Sequence, residues 1–199
     1  MINLEFAPTT DKLIRVALKE KLEEAYKSDP QACIIEELGI THGTARVDMA
    51  VVNGVIHGYE LKSDMDTLRR LPDQMKAYNS ALDQVTLIVG KNHLHEAINA
   101  APDWWGITIA KVTDADDTVS FCNIREARQN PDKDSFAVAS FLWRDEALQI
   151  LEDAGHAQGI RSKPRKFLYE RLAVTMEQEA LSEKVRTCLS TRLGWRSEK

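Results

Sequence analysis

No apolar run in this chain approaches the roughly 18 residues that a membrane-spanning helix needs. The opening stretch, MINLEFAPTTDKL, also lacks the apolar centre of a signal peptide. Cysteine is scarce: Cys33, Cys122 and Cys188 are odd in number and far apart. That excludes a disulfide framework and any CxxC-type zinc site, and it suits small buried hydrophobes in a reducing compartment. Six prolines and nine glycines are too few for a long linker or a low-complexity tail, and no fixed-period repeat is present. A P-loop, a dinucleotide fingerprint and a Ser/His/Asp constellation are missing as well. What remains is a folded, cytoplasmic protein of 199 residues, one ordinary domain plus an appendage, with 43 % hydrophobic and 29 % charged residues.

The net charge of −5 points away from a polyanionic partner, but it averages two unlike parts. Residues 1–154 hold 16 Lys and Arg against 26 Asp and Glu, whereas residues 155–199 hold 10 against 5. Such asymmetry marks either a segment that faces a polyanion or a solvated pair of amphipathic helices.

Local patterns order the chain. Asp11 to Lys27 reads as a helix capped by Thr10 or Asp11, with Leu13, Val16, Ala17 and Leu22 on one stripe. QACIIEELGI, closing at Gly39, fits a helical turn or a strand equally. ARVDMAVVNGVIHGYELK (45–62) is a hairpin, because Asn53-Gly54 tolerates the positive φ of a tight turn. Leu68 to Leu82 reads as a helix with Pro72 in its first turn. QVTLIVG (84–90) has the continuous apolarity of a buried parallel strand. A helix from His93 to Ala100 and a strand over 106–112 follow, so residues 1–130 read as an α/β sandwich around a mixed sheet. Residues 131–199 read as a helical C-terminal subdomain. Phe141, Leu148 and Leu151 mark one helix there, Leu168, Leu172 and Met176 a second, and Leu181, Val185, Leu189 and Leu193 a third.

The hairpin carries the chemistry. Glu60 and Lys62 are two apart on one strand and share a face, with Asp48 on the partner strand. Two such carboxylates suit a hard divalent cation, and a neighbouring ammonium suits a phosphoryl group or attacking water. Register imposes a condition: a two-residue turn at Asn53-Gly54 would send Glu60 away from Asp48, so a joint site needs an odd loop or a bulge. Gln74 and Tyr78, at i and i+4, share a face of the following helix. Glu36 or Glu37 stands ready as a third carboxylate. Taken singly, each of these residues is also an ordinary charge on a half-exposed hairpin.

Asp48, Glu60-Leu-Lys62 and Gln74-Met-Lys-Ala-Tyr78 resemble, in order and spacing, the motifs of the PD-(D/E)XK nuclease superfamily. The Gln-x-x-x-Tyr resembles its RecB-like branch. The wider string from Gly58 to Asn79, with DQVTLIVG and PDWWGI, resembles a small bacterial and phage family of that superfamily, over roughly residues 34–112. Val47 replaces the proline of the name. The resemblance implies a restriction-endonuclease-like α/β/α sandwich with a central mixed sheet and an α-helical C-terminal subdomain. It further implies an endonuclease that hydrolyses DNA phosphodiesters with Mg2+ or Mn2+. Asp48, Glu60 and Glu37 (or Glu36) would bind the metal, Lys62 would be the catalytic lysine, and Gln74 and Tyr78 would orient the site or contact the substrate backbone. Duplex cutting from one site per chain would favour a homodimer. The rival expectation is a module that binds nucleic acid or a partner protein, with little or no cleavage of its own.

Arg161, Lys163, Arg165 and Lys166 cluster at an expected helix N-terminus, where backbone N–H groups also favour phosphate. With Arg171, Lys184, Arg186, Arg192 and Arg196 they form a surface for a nucleic-acid backbone, a solvated face or a protein-docking face. His93-x-His95 has the wrong spacing to share a helix face. Trp104-Trp105 suits a packed corner, and Asp114, Asp116 and Asp117 suit a solvated turn.

Overall fold

The continuous apolarity of QVTLIVG is explained by its place at the middle of a sheet. In the structure, a computed structural model describing residues 6–113 and 118–192, seven strands form one sheet. They are β1 (Phe6–Ala7), β2 (Cys33–Ile40), β3 (Ala45–Val52), β4 (Ile56–Lys62), β5 (Gln84–Gly90), β6 (Gly106–Thr113) and β7 (Val119–Arg125). Their order is β1-β6-β5-β4-β3-β2, with β7 also paired to β6. The pairs β4–β5 and β5–β6 are parallel and the rest antiparallel. A strand in that position is covered on both faces, so polar alternation has no reason to appear in its sequence.

Helix α1 (Asp11–Tyr26) covers one face. Its Ile14, Leu18 and Leu22 pack with Met49, Val51, Leu61 and Ile88. This stripe is offset from the expected one, and Val16 is half exposed. Helix α2 (Leu71–Ala81), entered through a short 3-10 turn at Leu68–Arg70, lies on the other face with α3 (Leu94–Ala100). QACIIEELGI resolves as β2. The strand β7 escapes sequence reading because most of its side chains face solvent, so no buried apolar face marks it.

Beyond residue 131 the chain is helical among the described residues: α4 (Ser135–Ala139), α5 (Arg144–Asp153), α6 (Arg165–Thr175) and α7 (Gln178–Thr191). The single helix expected around Phe141 is two helices, interrupted between Ala139 and Arg144. These helices share one continuous apolar core with the sheet. Buried Asp83 fastens them to it: its carboxylate accepts the Ile56 N–H at 2.7 Å and pairs with Lys133 and Arg186, while Lys133 also donates to Ser182 Oγ. Cys33 and Cys188 are half-buried and Cys122 is exposed, which corrects the buried-cysteine expectation. Trp105 is fully buried and donates to Asn79 Oδ1 at 2.8 Å, so the tryptophan pair does mark a packed corner. Among the described residues no helix is long and apolar enough to cross a membrane. Asp114, Asp116, Asp117, Leu193 and Arg196 lie outside the described residues.

Candidate functional site

The β3–β4 hairpin has the odd loop that a joint site requires. Val52 pairs with Ile56, leaving Asn53, Gly54 and Val55 as a three-residue connection with Gly54 at φ +68°. Pairing ends at Met49↔Tyr59, although β4 stays on β5 as far as Lys62 and β3 stays on β2 as far as Ala45. The two strands therefore part where Asp48 and Glu60 meet. A polar cleft of about 590 Å³ opens there, lined by Glu37, Asp48, Glu60, Lys62 and Gln74 among others. On the next strand Glu37 sits at φ +53°, a strained backbone for a residue with a side chain. Asp48 closes the broken ladder by accepting the Leu61 N–H at 2.8 Å.

Every carboxylate of the expected metal set already has a protein cation. Arg15, from α1, reaches Asp48 at 2.7 Å and Glu37 at 3.1 Å, and also holds Asp11. Lys62 pairs with Glu60 at 2.5 Å, and both side chains are at least nine-tenths buried. Glu36 is held by Lys19. Arg15 is a site residue that sequence reading missed, because nothing near it in the chain announces a partner 33 positions away. The wall of the cleft counts six carboxylates (Asp11, Glu37, Asp48, Glu60, Asp66, Asp73) against four cations (Arg15, Arg46, Lys62, Arg70).

Gln74 and Tyr78 do converge on Glu60. Gln74 Nε2 donates to Glu60 Oε1 at 2.6 Å, and the Tyr78 hydroxyl lies 2.6 Å from both Glu60 Oε2 and the Arg46 carbonyl oxygen. One hydroxyl proton cannot serve both oxygens. A proton on Glu60 Oε2 would donate to Tyr78 and free the phenol to donate to Arg46. Burial pushes the Glu60 carboxyl in that direction, above the usual carboxylate range. The Asp48 charge adds to the push, and Lys62 and Tyr78 oppose it. Burial, with Glu60 beside it, also raises the Tyr78 phenol.

The basic residues are divided in their roles. Arg186 is turned inward to Asp83 and Glu179, and Arg192 packs on Glu146 and the Phe141 carbonyl. Arg171 donates to the His156 carbonyl, and Arg161 pairs with Glu152 at 2.7 Å. Lys163, Arg165 and Lys166 remain exposed at the start of α6, with Lys166 only 3.8 Å from Glu170. Sequence reading missed the aromatics beside them. Trp143 is 53 % exposed over the Arg192 guanidinium, 4.4 Å from ring centre to Cζ. Phe167 is 47 % exposed with Lys163 Nζ at 5.8 Å.

A family described as bacteriophage P4 protein cII matches the chain over residues 8–199. Protein cII of Enterobacteria phage P4 is 27 % identical over 143 residues, which are 71 % of this chain and 53 % of that protein. The chain thus spans about half the length of the curated relative it matches. No solved structure matches.

These findings correct the nuclease reading. The match is to the cII family and not to the PD-(D/E)XK superfamily, and no solved structure supports a restriction-endonuclease-like fold. The assignments as a metal-dependent nuclease and as an enzyme fall with it. The Mg2+ or Mn2+ centre is corrected on the geometry too: among the described residues no three His, Cys, Asp or Glu are grouped so as to hold a metal ion. Arg15 and Lys62 occupy the carboxylates instead. The physical reason for the misreading is local. Asp48, Glu60-x-Lys62 and Gln74-x-x-x-Tyr78 specify how one hairpin and one helix meet, and that meeting can serve a buried polar network as well as a reaction centre.

Proposed function

The chain belongs to the bacteriophage P4 protein cII family, and from that premise we propose that it is a nucleic-acid-binding protein, acting by holding a polynucleotide rather than cutting one. One observation carries the reading: positive charge is concentrated in residues 155–199, and its exposed members lie beside exposed aromatic rings. The helices described beyond residue 131 supply that surface, and the α/β part supplies the frame on which it is mounted. The cleft does not suit a phosphate backbone, since its carboxylates outnumber its cations.

The test is fluorescence anisotropy with labelled DNA and RNA across a salt series. Neutralising about four phosphates predicts a fall in log K against log salt with a slope near −3 to −4. Undetectable association with every polynucleotide at about 50 mM salt would overturn the proposal.

A further inference from the structure

We infer that the ligand of this surface is a single-stranded polynucleotide whose bases stack on Trp143 and Phe167. The inference rests on the nucleic-acid reading above and names the form of its ligand.

The two rings are linked by a chain of contacts. Trp143 opens α5, where its N–H donates to Glu146 Oε2 at 2.7 Å. The next residue, Arg144, donates to the carbonyls of Arg161 and Lys163 at 2.5 and 3.4 Å. That clasp holds the basic stretch before α6 against the start of α5, and Lys163 from that stretch lies over the Phe167 ring within α6. A groove of about 300 Å³ opens on the Trp143 side of this surface, lined by Trp143, Arg144, Arg165 and Arg192 among others. It reaches Gly43, which also borders the acidic cleft.

The chemistry favours unpaired bases. A duplex shows phosphates outward and hides its base faces, so cations alone would suffice to hold it. Two large rings left half in water would take no part in holding it. A single strand offers both phosphates for Lys163, Arg165 and Lys166 and flat base faces for the rings. Arg192 beneath Trp143 fixes the indole in place, so little side-chain freedom is lost on stacking. The acidic cleft at the far end of the groove repels phosphate and limits how far a strand can extend.

The full chain should be titrated with four labelled probes of equal length: oligothymidine, oligouridine, a duplex, and an abasic strand that keeps the phosphates and lacks the bases. At least one of the two base-bearing strands should bind roughly tenfold or more tightly than the duplex and the abasic strand. Phe167→Ala and Trp143→Leu should each cost that strand about tenfold, since one lost base–ring stack is worth a factor of that order. Neither change should move the abasic strand. If Trp143→Leu unfolds the α5–α7 contact, Phe167→Ala alone carries the test, because its ring is half in solvent. Equal binding of all four probes, or a duplex preference that the ring variants leave intact, would overturn stacking while leaving nucleic-acid binding standing. Association with none of the four would remove both.

Discussion

The cleft and the α6 face are both rich in charge, yet they handle it in opposite ways. In the cleft each of the five central charged groups has an internal counterpart: Arg15 with Asp48 and Glu37, Lys62 with Glu60. On the α6 face Lys163, Arg165 and Lys166 point to water, with one loose contact to Glu170. A charge already neutralised by a neighbour exerts little pull on a ligand, and a buried pair costs desolvation that its attraction barely repays. The cleft is therefore a place where charge holds the fold, and the α6 face a place where charge is available. Net charge, summed over both, describes neither.

The sharpest way to break this comparison is to empty the cleft. Glu60→Ala leaves Lys62 buried without its carboxyl partner and removes the hydrogen-bond partner of Gln74 and Tyr78. Urea denaturation should show a loss of about 3–5 kcal/mol, the usual cost of orphaning one member of a buried pair. The affinity of the remaining folded protein for a polynucleotide should not change. Lost binding with stability intact would reverse the roles of the two regions.

The converse experiment acts on the α6 face. Replacing Lys163, Arg165 and Lys166 together by alanine should leave the unfolding free energy within about 0.5 kcal/mol, as for surface positions generally. The same variant should lower the salt slope of binding by about one per cation removed. A wild-type slope in the triple variant would show that the polyanion lies elsewhere.

The two regions also differ in how far the sequence discloses them. Glu60, Lys62, Gln74 and Tyr78 are brought together by a strand period of two, a helical i, i+4 spacing and a three-residue loop at Asn53–Val55, all rules that act within about 20 residues. Their convergence was therefore legible, as were β5, β6 and the helix containing Pro72. Arg15 on Asp48 and Lys133 on Asp83 join residues 33 and 50 positions apart, and no local period encodes such a meeting. Trp143 was illegible for another reason: a ring in an apolar helical stretch is expected to be core, and only the break between α4 and α5 turns it outward. The family assignment fails on the same local rules, because residues sufficient to build a hairpin and a helix are not sufficient to identify a chemistry.

The smallest expected effect isolates the proton inside the cleft. Glu60→Gln replaces the carboxyl by an amide that can accept from Gln74 and Lys62 through its oxygen. Its NH2 can donate to Tyr78, which is the hydrogen-bond pattern of a protonated Glu60. Because the folded carboxyl is shifted upward, chiefly by burial, the folded state holds this proton more tightly than the unfolded chain does. The stabilisation it brings is complete below the unfolded pKa, near 4.5, and is lost as pH rises through the folded one. Wild type should therefore lose ground to Glu60→Gln as pH rises from about 4.5, by at most about 1.4 kcal/mol per pH unit while this single group titrates. Paired urea melts across pH 4–8 measure the difference directly. A gap that narrows in the other direction would mean that Lys62 outweighs burial and Asp48, making the cleft an ordinary ion pair. Binding by the α6 face should follow the same salt slope in both proteins at every pH, because the titrating proton lies in the other region.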